Sequence, residues 1–497
     1  MALNQQQLKK LHGTLSNINL ALEAGKSTAA LKKLNELDRL HPFEPMILTL
    51  LAKANSKMGR HNECIDAFAR AITVDPKEGT LRHHYALALQ RGGRYEDSLV
   101  EYERALYYSP KNFQAMRHKC SVLIDLDRIN DATKAYSDLQ QVVAKIEIDP
   151  AQRLAIAITG ARLAPKARDA QEAIDELNHG LEAGSLAEEF ITSAYWQIGR
   201  LQDHLKDYDA AFIAYRTSKE IKKEGWDPET HSQLTDQLIE CWTNNADIPF
   251  STIDGSGLIF ILGMMRSGTS LTEQMLAQVS CITPGGEMNA IARQVSPIER
   301  TTMKHNQAMP KTRALYTKPM IQKMAREAKK MYDQVPHDQI LTDKQPYNYT
   351  YAPLIAHMFP GCKIIHCVRD PMDCCLSNYT QAFSRPHMQT HDLYWLGRYF
   401  RDYERLMQAW HTLPEVDMID LHYEKLVAEP EAESKRVLDF LGLVWTPDML
   451  NFHESSRTIR TASREQVRKP MYTSSVQKYK RYESHLDELK RGLGIND

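Results

Sequence analysis

Eight consecutive residues, Gly263-Met-Met-Arg-Ser-Gly-Thr-Ser270, place one arginine and three hydroxyls on a turn with two glycines. An apolar run, Leu258 to Leu262, precedes them, and Leu271, Met275 and Leu276 follow at helical spacing. Strand, loop and helix in that order aim successive backbone N–H groups and a helix N-terminus at one point, where a phosphate or sulfate can be held. The glycine spacing fits a Walker A loop, but Thr269 stands where the lysine belongs. A nucleoside triphosphatase would lack the cation for its terminal phosphates. Here Arg266 sits inside the turn instead, beside Ser267, Thr269 and Ser270.

Three further places carry chemistry. Arg369-Asp370-Pro371 follows the apolar run Lys363 to Val368, with Ser377 two helical turns on; proline at the first helical position with aspartate before it predicts a helix start. Lys344 closes Thr342-Asp343-Lys344-Gln345-Pro346, directly after another apolar run. Glu287 follows Gly285 and Gly286, which let the chain bend close to a ligand. In the first turn of a helix its carboxylate would complement the dipole. Within reach of an acceptor hydroxyl it would act as a general base.

The elements that position these residues follow from periodicity. Short apolar runs at Leu258–Leu262, Gln339–Thr342, Lys363–Val368 and Met418–Leu421 alternate with segments long enough for helices. Such alternation predicts an α/β domain with a parallel sheet covered by helices on both faces, and ligands outside the carboxyl ends of the strands. Residues 244–257, rich in Pro, Gly, Ser and Asp, read as a junction. Before it the grammar is different. Gly25, Gly59 and Gly93 are spaced by 34, as are Pro42, Pro76 and Pro110; Ala30, Cys64, Ser98 and Ala132 keep the step, and so do Leu34, Phe68, Tyr102 and Tyr136. A 34-residue period with a small residue at the helix crossing is that of the tetratricopeptide repeat (TPR). Four repeats are expected to about Val143, then degenerate ones with an irregular helix length. The division is therefore an all-α TPR solenoid over 1–245 and the α/β domain over 246–497.

The loop 263–270 resembles the 5′-phosphosulfate loop of sulfotransferases that use 3′-phosphoadenosine 5′-phosphosulfate (PAPS), which typically reads P-R-S-G-T-T/S. Met265 replaces the usual proline. The resemblance extends to Arg369 and Ser377, which in that family hold the 3′-phosphate, and to Lys344, whose counterpart stabilises charge between donor and leaving group. Some relatives carry an arginine four residues past the serine; this chain has Gln381. Gly286-Glu287 is similar to the site of the catalytic glutamate in protein-tyrosine sulfotransferases and in the bacterial TPR-containing sulfotransferases allied to them. Tyr423, in His422-Tyr-Glu-Lys-Leu-Val427, matches a tyrosine that lies against the nucleotide in that branch. Residues 463 to 478 resemble its closing loop, which implies donor contacts from Ser463, Gln466, Val467, Lys469 and Lys478. From Arg457 to Arg491 there are ten Lys or Arg and four Asp or Glu, a basic excess that suits a donor with several negative charges.

The resemblance implies a P-loop-like sulfotransferase domain that moves the sulfuryl group of PAPS to an acceptor hydroxyl. Glu287 would be the base, Lys344 and Arg266 the charge stabilisers, and a tyrosine in a protein or peptide the acceptor, recruited by the TPR groove. A saccharide or small metabolite as acceptor, and a non-catalytic adenylate-binding scaffold, stay open. A sulfuryl group carries less charge than a phosphoryl group, so no metal clamp is expected. Cys362, Cys367, Cys374 and Cys375 do not have zinc-site spacing. A formal net charge of −1 implies neither nucleic acid nor an anionic membrane as partner. The longest apolar run, Leu258 to Met265, is too short to span a bilayer, and the first residues have no apolar leader core. Eight cysteines in 497 residues do not make a disulfide scaffold; a cytoplasmic protein is expected, and a homodimer is compatible with it.

Overall fold

A computed structural model describes residues 5–182, 184, 186–221, 225–244, 248–303, 316–336, 340–383, 387–454 and 475–495. It divides into two compact units, Met1–Asp207 and Tyr208–Asp497.

In the first unit the 34-residue step becomes helix pairs: α1 (Gln5–Glu23) with α2 (Ser27–Leu40), α3 (Pro45–Lys57) with α4 (His61–Val74), α5 (Gly79–Arg91) with α6 (Tyr95–Tyr108), and α7 (Phe113–Asp125) with α8 (Ile129–Val143). Ala30, Cys64, Ser98 and Ala132 are buried, as are Leu34, Phe68, Tyr102 and Tyr136 one turn later. Each of Pro42, Pro76 and Pro110 stands two residues past the second helix of its pair, where a ring without an N–H cannot continue it. Gly25, Gly59 and Gly93 turn the first helix into the second with positive φ; the fourth such turn uses Asp127 at φ 59°, a residue that tolerates this region better than most. After α9 (Pro150–Ala161) and α10 (Ala170–Leu181), the expected irregularity falls in α11 (Glu188–Leu205), which is 18 residues long.

The second unit begins with α12 (Tyr208–Glu220) and α13 (Pro228–Thr243). Both lie before the compositional junction at 244–257, so the contact boundary falls about one helix pair earlier than the change of sequence grammar. The sheet contains β1 (Leu258–Leu262), β2 (Ile282–Pro284), β3 (Ile340–Asp343), β4 (Lys363–Val368) and β5 (Met418–His422) in the order β2-β3-β1-β4-β5, all parallel. Four of these are the apolar runs; β2, three residues at the edge, is an addition.

Between and after the strands run α14 (Thr269–Leu276), α15 (Ala290–Met303), α16 (Lys318–Tyr332), α17 (Ala352–Met358), α18 (Pro371–Tyr379), α19 (Leu393–His411), α20 (Tyr423–Ala428), α21 (Pro430–Leu441) and α22 (Asp487–Leu493). Every residue of β1 is buried, which is why it reads as continuous Leu/Ile/Phe. Each such side chain contributes roughly 2 kcal/mol relative to exposure. Ile259 and Ile261 pack with Ile365, Cys367, Leu271 and Leu438 on one face; Phe260 meets Tyr332 and Phe359 on the other. The chain leaves β1 for β2 and β3 on one side and returns to β4 on the other. The strand order therefore reverses between β1 and β4, where parallel sheets bind ligands.

Candidate functional site

At that reversal the loop after β1 turns through left-handed backbone at Arg266 (φ 69°) and Gly268 (φ 107°). A Cβ on Gly268 would lie 2.9 Å from Cδ2 of Tyr423, so the absence of a side chain lets that ring close on the turn. Gly268 also precedes α14 without any side-chain cap, which leaves the first amides of the helix with no intrahelical acceptor. Ser267, Thr269 and Ser270 are buried there.

Residues more than a hundred positions apart meet over this loop. Arg266 Nε donates to Ser377 Oγ at 3.0 Å, and Arg369 Nη1 donates to the Arg266 carbonyl at 3.0 Å. The other arm of Arg369, Nη2, reaches the Ser475 carbonyl at 2.8 Å. Its guanidinium carbon stands 4.7 Å from the centre of the Tyr423 ring, whose hydroxyl is 2.6 Å from Ser475 Oγ. Arg369 emerges from β4 and Ser377 lies on α18, which Asp370 caps by accepting from the Asp373 amide at 2.9 Å. Two buried donors here, Ser267 Oγ and Arg369 Nε, have no hydrogen-bond partner. Orphaned donors beside two guanidinium groups fit an anionic ligand.

The second cluster lies one strand over. Lys344, fully buried after β3, donates to Glu287 Oε1 at 2.7 Å, while Glu287 is 43% exposed. A buried ammonium needs such a pairing, and the exposed side of the carboxylate is open to an acceptor. Glu287 was expected in the first turn of a helix; α15 begins only at Ala290, and Glu287 lies in the loop before it. The loop is held by its backbone: Gly285 N donates to the Thr342 carbonyl at 3.0 Å, Gly286 N to Glu273 Oε1 at 2.8 Å, and Lys344 N to the Gly286 carbonyl at 2.9 Å. At Gly285 a Cβ would fall 2.3 Å from the Thr342 carbonyl, so only glycine permits this approach to β3.

Sequence reasoning passed over several side chains that build the site. Glu273, buried on α14, accepts from both Gly286 N and Thr342 Oγ1 (2.9 Å) and so ties the anion loop's helix to the Glu287 loop. The available signal was a carboxylate on a helix that must be buried all round. Asp373 accepts from Gln477 N at 2.5 Å and Tyr479 N at 2.9 Å, anchoring to α18 the backbone at the end of the expected closing loop. Asn378 Nδ2 donates to the Met265 carbonyl at 2.7 Å, which stiffens the turn where proline is absent. Lys478 starts the 3₁₀ turn Lys478–His485, half-buried. Ser463, Gln466, Val467 and Lys469 lie outside the described residues.

Beneath Lys344, Asp343 accepts from the Tyr332 hydroxyl at 2.8 Å, and burial pushes its carboxyl up to about 7. An unfolded aspartate titrates near 3.9. Between about pH 4 and 7 the folded chain keeps a proton that the unfolded chain has lost, so stability falls as pH rises through that window and stays lower above it. Asp343→Asn keeps an acceptor for Tyr332 and removes the titration. Relative to wild type it should be more stable at pH 8 by on the order of 4 kcal/mol and nearly unchanged at pH 4. Urea unfolding at the two pH values checks this; an equal difference at both would refute it.

Comparison with known proteins adds the family. A sulfotransferase family model matches residues 259–447, a tetratricopeptide repeat model residues 192–224, and a bacterial transcriptional activator domain model residues 21–113. The chain thus carries a sulfotransferase-family domain after TPR-like helices. An uncharacterized protein of Aquifex aeolicus is 33% identical over 345 residues, 65% of this chain and 43% of that protein. Protein-tyrosine sulfotransferase 1 of Danio rerio is 26% identical over 248 residues, 47% of this chain and 69% of that one. The chain therefore spans less than half of the Aquifex aeolicus relative. Among solved structures, the sulfotransferase domain of the Synechococcus PCC 7002 olefin synthase is similar at 20% identity and a TM-score of 0.32, covering 47% of this chain and 89% of that one. PilF of Pseudomonas aeruginosa is similar at 15% identity and a TM-score of 0.35, covering 43% and 92%. Among the described residues no helix is long and apolar enough to cross a membrane.

Proposed function

We propose that the sulfotransferase-family domain of this chain moves a sulfuryl group from PAPS to the hydroxyl of a tyrosine in a protein or peptide. The observation that carries the reading is the meeting of Arg266, Ser377, Arg369 and Tyr423 around one amide-lined turn. Its unpartnered buried donors, Ser267 Oγ and Arg369 Nε, suit a ligand with several anionic oxygens. When bound, PAPS supplies an electrophilic sulfur on a good leaving group.

The chain's residues divide the remaining work. The turn from Ser267 to Ser270 orients the 5′ end, and Arg369 with Ser377 selects a 3′-phosphate by charge and hydrogen bonding. Tyr423 gives the nucleotide an aromatic face. Lys478, half-buried at the end of the closing segment, adds a cation to the donor contacts. Glu287 takes the proton of the acceptor hydroxyl. Lys344, fully buried and 2.7 Å from that carboxylate, and Arg266, half-buried, neutralise charge that gathers on the leaving oxygen. No metal ion is needed for these steps.

Tyrosine is favoured because Glu287 follows a double glycine at the place matched by the protein-tyrosine sulfotransferase branch, and the helical repeats of residues 1–245 offer a surface for a protein acceptor. Cysteines without disulfides favour the cytoplasm. The test is incubation of the full chain with radiolabelled PAPS and a panel of tyrosyl peptides, saccharides and small phenols. Label on tyrosyl peptides is expected. Label on saccharides alone would overturn the acceptor, and PAPS binding without transfer would overturn the reaction.

A further inference from the structure

Behind the donor cradle, three side chains from three elements turn toward one point: His366 of β4, His411 at the end of α19 and Asp420 of β5. His366 Nδ1 is 2.7 Å and His411 Nε2 is 2.8 Å from the same carboxylate oxygen, Asp420 Oδ1. All three candidate ligand atoms fall within 4.8 Å of one another. We propose that His366, His411 and Asp420 form a binding site for a divalent transition metal of the zinc class.

Several features distinguish this cluster from an ordinary hydrogen-bonded triad. Two imidazoles and a carboxylate are the ligand types that borderline-soft divalent ions select, and three protein ligands with one open position are a common zinc arrangement. Ligand atoms about 2.0–2.1 Å from a tetrahedral ion lie a little over 3 Å apart. The present spacings need to open by only a fraction of an ångström on the carboxylate side. His411 and Asp420 are each 37% exposed and can move, whereas His366 is nearly buried. The three residues also line a cavity of about 200 Å³ that includes Glu404 and reaches Ser267 and Arg369, room for an ion and a water in the fourth position.

Outer contacts are in place as well. The far nitrogen of His366, Nε2, is 2.5 Å from the Tyr403 hydroxyl, which accepts from the Met264 backbone; Arg436 Nη2 donates to the Asp420 carbonyl at 2.7 Å. A partner on the second ring nitrogen fixes the tautomer of a ligating histidine. The elements joined carry Arg369, three residues after His366, and Tyr423, three after Asp420, so an ion would brace the strand ends under the donor cradle. The sequence offered no zinc spacing because 45 and 9 residues separate the successive ligands. The inference does not depend on the reaction proposed above.

The test uses the untagged full chain, stripped with chelator and then titrated with Co²⁺ and Zn²⁺. The wild type should give the intense visible absorption of tetrahedral Co²⁺ at one equivalent, displaced by Zn²⁺, and saturating Zn²⁺ should raise its unfolding midpoint. His411→Ala, at an exposed position, should fold as wild type without metal, weaken binding by roughly 100-fold and lose the shift in midpoint; Asp420→Asn should do the same. Absence of the Co²⁺ band in the wild type, or its persistence unchanged in both variants, overturns the proposal.

Discussion

Glu287→Gln should lower turnover by roughly 10³-fold while leaving affinity for 3′-phosphoadenosine 5′-phosphate nearly unchanged. Glutamine keeps an oxygen where Lys344 Nζ donates at 2.7 Å, so the buried ammonium keeps a neighbour and the loop anchored by Glu273 keeps its course. What it loses is the capacity to take a proton. A fall in kcat with unchanged donor binding would be the mark of an interaction made only in the transition state. Turnover like wild type would remove Glu287 as the base, and a parallel loss of donor binding would mean that the substitution had disturbed the anion loop instead.

Arg369→Ala acts on binding rather than on chemistry. Its guanidinium touches the Arg266 carbonyl, the Ser475 carbonyl and the face of Tyr423, and its Nε is left for a ligand. Loss of charged hydrogen bonds worth about 1.5–3 kcal/mol should raise the KM for PAPS roughly 100-fold. More specifically, the variant should cease to discriminate PAPS from adenosine 5′-phosphosulfate, which lacks the 3′-phosphate. Arg369→Lys separates this from a structural role: a point charge retains part of the selectivity without the planar fork. If both variants discriminate as wild type does, the 3′-phosphate is held elsewhere.

Much of this layout is legible in the amino-acid sequence. Continuous apolar runs become buried parallel strands because both faces are covered, and a 34-residue step becomes helix pairs because glycine and proline recur at turn and exit. β2 escaped because three residues at a sheet edge leave no periodicity to find. The fourth inter-helix turn escaped because Asp127 holds a conformation for which glycine is the usual signal. Helices α12 and α13 have the sequence grammar of repeats yet pack in the second unit, a choice made by tertiary contacts such as the His231 ring 2.8 Å from Asp402. Arg266, Arg369 and Glu287 were visible as motif residues. Glu273 and Asp373 were not, since their task is to hold backbone amides of distant segments, and nothing in a carboxylate's own sequence neighbours names an amide far along the chain.

The most direct measurement is calorimetric titration of the full chain with 3′-phosphoadenosine 5′-phosphate and, in parallel, adenosine 5′-monophosphate. A pocket that grips both phosphorylated ends of one adenosine predicts that the bisphosphate binds at least about 100-fold more tightly, in the absence of Mg²⁺. Equal affinity for the two nucleotides, or tighter binding of Mg²⁺-ATP than of either, would contradict it.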